Sequence, residues 1–492
     1  MVNRKLPNFV ENLIVRVCCI CLYSLLLVSC ASQAEPKETE IVIISFSDIH
    51  GCFDNLAKIS AFIKEAKTQY EHVIVADAGD RFTGNPYNDF YVRGQYPIYD
   101  LLNALGLDIA VVGNHEFDFG AELLVERMLM ANFTEVLANI EVRGTVFNRL
   151  IKPYHVIEKG DISVGFLGLV CVDRQTGKTP ALFEHVKDFT FYDPFETARN
   201  YTKSLRKKPD IYIALTHLGI RDDYRLADSV PEFDLIIGGH SHYLTVEPEF
   251  RNNVKVLNTD RRGDHVFKTI IRMKGRDIYN IQTELIAVSI LIDEDPVIVE
   301  MVQHYEDNPF LATSFVTLRH SFNEEQLGLM VVDAALDIPN VDLSILNCGG
   351  IRADTLKAGQ VTYGDILRVY PFSNHYVIIG LTPAEMREVI EWEFSIPKRC
   401  NAHPGGFHYV VDLSDENNPK VIEMTYPNGE KLDEDKVYQV ALNNFLTSRH
   451  FYNRQNRVST PVFVFDNIVK HLQSNPNVNY RNAPKRAKRV GV

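Results

Sequence analysis

Asp48, His50, Asp80, Asn114, His217, His240 and His242 together offer four imidazoles, two carboxylates and one side-chain amide. Imidazole suits zinc, manganese, iron or nickel, whereas carboxylate with amide oxygen suits harder ions such as manganese. Seven donors are more than one tetrahedral ion can use. A pair of ions about 3.5–4 Å apart, bridged by one carboxylate, would use them all, and that geometry serves in-line displacement at phosphorus. The local spacing helps. Asp48-Ile49-His50 and His240-Ser241-His242 each place two donors on one side of an extended segment, and Gly79 lets the chain turn sharply before Asp80. Each cluster alone is commonplace; five in series are not explained by chance surface polarity.

The elements that must carry these residues alternate between aliphatic runs and helical periods. Ile41-Val42-Ile43-Ile44 has no polar face and reads as a strand buried on both sides. Leu56, Ile59, Ile63 and Ala66 recur at helical spacing, Val73-Ile74-Val75-Ala76 is a second strand, and a helix is expected near Pro97 to Leu105. Further runs lie at Ile109–Val112, Val164–Val170, Ile211–Leu215 and Leu235–Ile237. The order predicts a layered α/β domain. Each polar motif falls just past the carboxyl end of such a run, where open α/β sheets hold their ligands.

The series Asp48-x-His50, Gly79-Asp80, Gly113-Asn114-His115-Glu116, Thr216-His217 and Gly238-Gly239-His240-Ser241-His242 resembles the calcineurin-like metallophosphoesterases. Asn114-His115-Glu116-Phe117-Asp118, with the later Asn347-Cys348-Gly349-Gly350-Ile351-Arg352, is similar to the 5′-nucleotidases of that superfamily. The resemblance implies a layered αββα catalytic domain followed by a smaller α/β C-terminal domain. It implies that Asp48, His50, Asp80 and His242 hold one metal, and that Asp80 bridges to a second held by Asn114, His217 and His240. It makes His115 and Asp118 a catalytic dyad that does not bind metal. His115 would stabilise charge on the phosphoryl group or protonate the leaving group, with Asp118 favouring the imidazolium.

In the second domain the resemblance assigns substrate binding to Asn347, Gly350, Arg352 and Phe445. Arg352 would close over the phosphate with its fork of donors. Tyr363-Gly364-Asp365 and Tyr370-Pro371-Phe372-Ser373-Asn374 also resemble family signatures, and are expected to shape this domain's core. The pattern departs where a nucleotide's base and ribose would be held. Phe445 matches one stacking ring. The place of the other reads Cys400-Asn401-Ala402-His403-Pro404, with Phe407 following on a strand, and the ribose-binding run is replaced by Thr447-Ser448-Arg449-His450-Phe451. Lys398 or Arg399 would have to substitute for a further phosphate-binding arginine.

Arg4 and Lys5, an apolar stretch from Val17 to Val28, and Leu27-Val28-Ser29-Cys30 read as an export signal. The ending resembles a bacterial lipobox. That implies cleavage before Cys30, lipidation of its thiol and a membrane-anchored protein, with outer-membrane attachment favoured. The expected division is signal 1–29, tether 30–40, catalytic domain 41–287, linker helix 288–307, second domain 308–478 and basic tail 479–492, the tail a solvated end. Cys52, Cys171, Cys348 and Cys400 show no paired spacing, so no disulfide can be assigned. With 46% apolar and 23% charged residues and a net charge of −13, the chain is an ordinary globular protein unsuited to coating nucleic-acid polymers.

The leading expectation is an exported phosphohydrolase using two divalent ions, zinc, manganese or similar. It would attack the phosphorus of nucleoside 5′-monophosphates in line with a metal-bound hydroxide. The alternative is a related phosphoesterase of the same fold: a cyclic-nucleotide phosphodiesterase, a nucleotide pyrophosphatase or a non-nucleotide phosphatase. A lipoprotein that only binds ligands is the third reading.

Overall fold

The structure, a computed structural model, describes residues 37–491 apart from 90–95, 143–145, 175, 206–207, 249, 395–400, 416–417, 452–453 and 455–456. Cys30, the proposed signal, Lys398, Arg399 and Cys400 therefore lie outside the described residues.

Two six-stranded sheets dominate the first half. In one, strands Asp277–Ala287, His265–Lys274, Glu38–Phe46, Val73–Asp77, Ile109–Val111 and Thr134–Val136 lie side by side, the last four parallel. In the other, the order is Phe250–Arg251, Val254–Asn258, Leu235–Gly238, Ile211–His217, Ile162–Val170 and Tyr154–Lys159, with the central four parallel. Side chains alternate across a strand, and Glu38–Phe46 shows the consequence. Ile41 and Ile43 enter a core shared with the second sheet, while Val42, Ile44 and Phe46 enter another shared with helices Leu56–Gln69 and Pro97–Leu105. Each face is buried, which is why no polar residue interrupts the run.

Helix Pro296–Glu306 follows Asp295, whose side chain accepts from the Val297 amide and caps it. Ile298 and Tyr305 pack it onto the first-half helices, and the Tyr305 hydroxyl donates to Asp100 Oδ2 at 2.6 Å. Beyond it a five-stranded sheet orders His403–Gly405, Leu343–Leu346, Tyr438–Asn443, His375–Leu381 and Arg457–Phe463.

Two boundaries differ from expectation. The first strand begins at Glu38, inside the segment read as tether, because His265–Lys274 pairs with it from Lys274 onward. The basic end is not merely solvated. Ala487–Val490 is a strand parallel to His408–Asp412, and Arg486 is paired with Asp333. Its charges suit a sheet edge, where they discourage further pairing. Among the described residues no helix is long and apolar enough to cross a membrane.

Candidate metal centre

The loops after the parallel strands converge and bring six of the seven predicted donors together, while Asn114, the seventh, is buried and lines the adjoining cleft with His240. Three overlapping groups have donor atoms within 4.8 Å of one another: Asp48, His50 and His242; His50, Asp80 and His115; and Asp80, His217 and His240. His242 Nε2 lies 3.3 Å from Asp48 Oδ1, and His217 Nε2 lies 2.9 Å from Asp80 Oδ2. His115, expected beside the site, is drawn into the middle group, with Nε2 3.9 Å from Asp80 Oδ2.

The backbone around these donors is strained. Asp48, His50, Asp80, His240 and His242 all sit at positive φ, between 50° and 77°. Residues with a Cβ rarely adopt that region, and such strain gathers where function over-determines the chain. Gly113 must be glycine for a related reason: a Cβ there would meet Asp80 Oδ1 at 2.3 Å.

The donor chemistry fits cations. His50 Nδ1 lies 3.1 and 3.0 Å from the Phe82 and Thr83 carbonyls, and His217 Nδ1 lies 2.7 Å from that of Ala78. A carbonyl only accepts, so each Nδ1 carries a proton, and a neutral ring turns an Nε2 lone pair inward. Against burial, Asp80 and Asp48 push the His217 ring up to about 10, so an incoming cation would displace its Nε2 proton. His50 Nε2 then faces His242 Nε2 at 3.0 Å, and the buried Asn114 Oδ1 has no hydrogen-bond partner. Lone pairs and carboxylates facing one another in a dry site are unfavourable until positive charge lies between them. Burial and the neighbouring His217 push the His240 ring down to about 3, which keeps it a neutral donor.

Beside the cluster, His115 Nδ1 lies 2.6 Å from Asp118 Oδ2, which also accepts from Thr83 Oγ1 at 2.7 Å. Arg352 Nη2 reaches His115 Nε2 at 2.7 Å from the side of the five-stranded sheet. Burial lowers the His115 pKa, but Asp118 and Asp80 more than offset it and the net direction is upward. The positive charge of Arg352 pulls the other way.

A cleft of about 620 Å³ opens there, lined by Asn114, His115, Asp118 and His240 on one wall. Asn347, Gly350, Arg352 and Phe445 line the other, so the four residues expected to meet substrate share the cleft with the dyad. Phe372 and Asn374 also line it, and the Phe372 ring lies 6.1 Å from that of His115. Part of that segment thus faces the cleft, while Tyr370 is fully buried and Tyr363 stacks on Phe310 and Phe315, in the core-shaping place expected of them. Phe407 is fully buried in a core against the five-stranded sheet.

Several residues escaped sequence reasoning. Glu116 was visible only as part of its motif, yet its buried carboxylate accepts from the backbone amides of Asp80, Arg81 and Gly113 at 3.1, 2.7 and 2.6 Å. It ties the two ligand loops together. Trp392 lines the cleft 6.5 Å from Phe445 at a 52° tilt, and the Arg449 guanidinium lies 4.1 Å over its ring. Arg449 is ion-paired with Asp173 across the cleft. Cys348 is disulfide-bonded; Cys52 and Cys171 are free, so its partner lies outside the described residues.

Residues 41–244 match the model of the calcineurin-like phosphoesterases, and residues 302–451 match the 5′-nucleotidase C-terminal domain. The chain belongs to the 5′-nucleotidase family of calcineurin-like metallophosphoesterases. These are metal-dependent phosphoester hydrolases, and the His and Asp groups are compatible with a metal site. A Vibrio cholerae 5′-nucleotidase is 26% identical over 74% of this chain and 76% of its own. The trifunctional nucleotide phosphoesterase YfkN of Bacillus subtilis is 28% identical over 84% of this chain, which spans only 32% of that protein. The 5′-nucleotidase precursor of Thermus thermophilus shares the fold at a TM-score of 0.80, with 21% identity over 92% of this chain and all of its own.

Proposed function

We propose that the protein is an exported two-metal phosphohydrolase that releases phosphate from nucleoside 5′-monophosphates. The observation that carries this reading is the cluster of inward lone pairs and carboxylates set directly beside the His115–Arg352 pair.

Asp48, His50 and His242 would hold one ion, Asn114, His217 and His240 the other, with Asp80 between them. Divalent ions there would supply a bound water that deprotonates near neutral pH and charge to offset that gathering on phosphoryl oxygens. Arg352 has donors to spare for the phosphate, since its Nε is buried without a partner. A phosphoryl group entering between Arg352 and His115 would take over the contact they now share. His115, held at Nδ1 by Asp118, would then present a proton at Nε2 to the phosphoryl oxygen or the departing alkoxide. Asp118 and Thr83 fix that ring, so the proton is delivered from one direction.

The runner-up reading, a related phosphoesterase with another leaving group, draws on the far end of the cleft. A base sandwiched between rings needs two near-parallel planes about 7 Å apart, twice the usual ring-stacking separation. Trp392 and Phe445 are tilted by 52°, and Arg449 covers one face of Trp392. Either way the substrate is a small phosphorylated molecule. The N-terminal sequence and Cys30 support export and a lipid anchor at a bacterial membrane, testable by fatty-acid labelling of the wild type and Cys30→Ala. For the activity, protein loaded with manganese or zinc is assayed against nucleoside mono-, di- and cyclic phosphates and sugar phosphates. Phosphate release from nucleoside 5′-monophosphates is the expected result; activity on sugar phosphates alone would overturn the substrate.

A further inference from the structure

Glu393 is the last residue of helix Pro383–Glu393, is only 1% exposed, and lines the catalytic cleft beside Trp392. Its Oε2 accepts from the Cys348 amide at 3.2 Å, at the glycine turn that presents Arg352. Its Oε1 is buried and has no hydrogen-bond partner. Leaving a buried polar atom unmet is costly, and a group kept in that state beside a cavity calls for a ligand.

The surroundings decide what kind. A carboxylate at a helix C-terminus faces the partial negative charge of free carbonyls. Burial pushes the Glu393 carboxyl up to about 8, against the Cys348 amide and the Arg449 guanidinium, which pull it down. The neighbouring Tyr409 phenol is neutral at ordinary pH, because burial, with Glu393 beside it, raises it. Glu393 is thus a neutral acid near pH 7. With Oε2 accepting from Cys348, its proton sits on Oε1, a donor with no acceptor among the described residues.

We propose that Glu393 is a specificity-determining residue whose Oε1 hydrogen-bonds an uncharged acceptor on the leaving alcohol of the phosphoester, a sugar hydroxyl or a heterocyclic carbonyl or ring nitrogen. This rests on the phosphohydrolase reading above. It gives the far end of the cleft a polar selection that does not need a second stacking ring. A leaving group without an acceptor gains nothing there and leaves the donor unmet, which is how a buried polar group rejects an apolar analogue.

The test compares wild type, Glu393→Leu and Glu393→Gln, all metal-loaded, on nucleoside 5′-monophosphates, sugar phosphates and phenyl phosphate, whose leaving group offers only the reacting oxygen. Glu393→Leu should lose about tenfold more in kcat/KM on acceptor-bearing substrates than on phenyl phosphate, mainly through KM, because the lost Cys348 contact affects all of them alike. Glu393→Gln keeps an acceptor for Cys348 and a permanent donor on the amide, so it should stay within about threefold of wild type on every substrate. An extra loss confined to nucleotides identifies a base acceptor; one shared with sugar phosphates identifies a hydroxyl. Equal losses on phenyl phosphate, or no loss anywhere, would overturn the role of Glu393 while leaving the enzyme's function intact. A wild type inactive on every phosphoester would overturn both readings.

Discussion

Replacing Glu116 with glutamine removes one charge and one acceptor from the point where two ligand loops are tied. In the native chain Oε2 takes the Asp80 and Gly113 amides and Oε1 takes that of Arg81. Glutamine has a single carbonyl oxygen. Placed at Oε2 it keeps two amides, but it sets its own NH2 against the Arg81 N–H. A hydrogen bond to a charged acceptor contributes about 1.5–3 kcal/mol, and an orphaned buried donor costs about 1–3 kcal/mol. Two weakened bonds and one lost outright put the destabilisation at about 3 kcal/mol. Arg81 keeps Asp77 and Glu135 as partners, so its side chain stays paired. Because the tied loops carry Asp80 and Asn114, metal affinity should also fall, by about 10–100-fold as for other groups that orient ligands. Thermal unfolding of the apo variant reports the first effect, and manganese titration of activity the second. A variant that melts and binds metal like wild type would refute the tie. One that melts lower yet binds metal normally would confine Glu116 to stability.

His115→Ala should keep full metal content while kcat falls by about 10²–10⁴-fold, checked by elemental analysis beside phosphate-release kinetics. Arg352→Lys should raise KM by about tenfold, since lysine cannot present a fork to the phosphate, and a KM unchanged within error would count against the phosphate contact. Chelation should lower the melting temperature and readdition restore it, because ions that bind only the folded chain stabilise it by mass action. Between about pH 4.5 and 8 the folded chain holds a proton on Glu393 that the unfolded chain has lost. The unfolded state binds fewer protons there, so this residue makes stability fall as pH rises through that window. Glu393→Gln should remove that component, seen as a melting-temperature difference from wild type that changes with pH.

The donor set was legible because parallel strands buried on both faces read as unbroken aliphatic runs, so polar clusters at their ends stand out. Asp48, Asp80 and His240 each follow such a run within a few residues. Glu116 was hidden because it acts on backbone amides, which have no residue type to read. Arg449 and Asp173 are 276 positions apart, and nothing local in either segment announces their pairing. Ala487–Val490 was misread for a different reason: a short charged edge strand carries no hydrophobic alternation, and only its partner His408–Asp412 defines it. Trp392 and Glu393 lie at a helix end with ordinary amphipathic spacing, so their exposure to the cleft depended on tertiary packing.

The most direct test of the two-metal centre is anomalous diffraction from crystals of the manganese-loaded protein, recorded at the metal's absorption edge. Two peaks about 3.5–4 Å apart are expected, both touching Asp80, one beside Asp48, His50 and His242 and the other beside Asn114, His217 and His240. A single peak, or two that do not share Asp80, would contradict it.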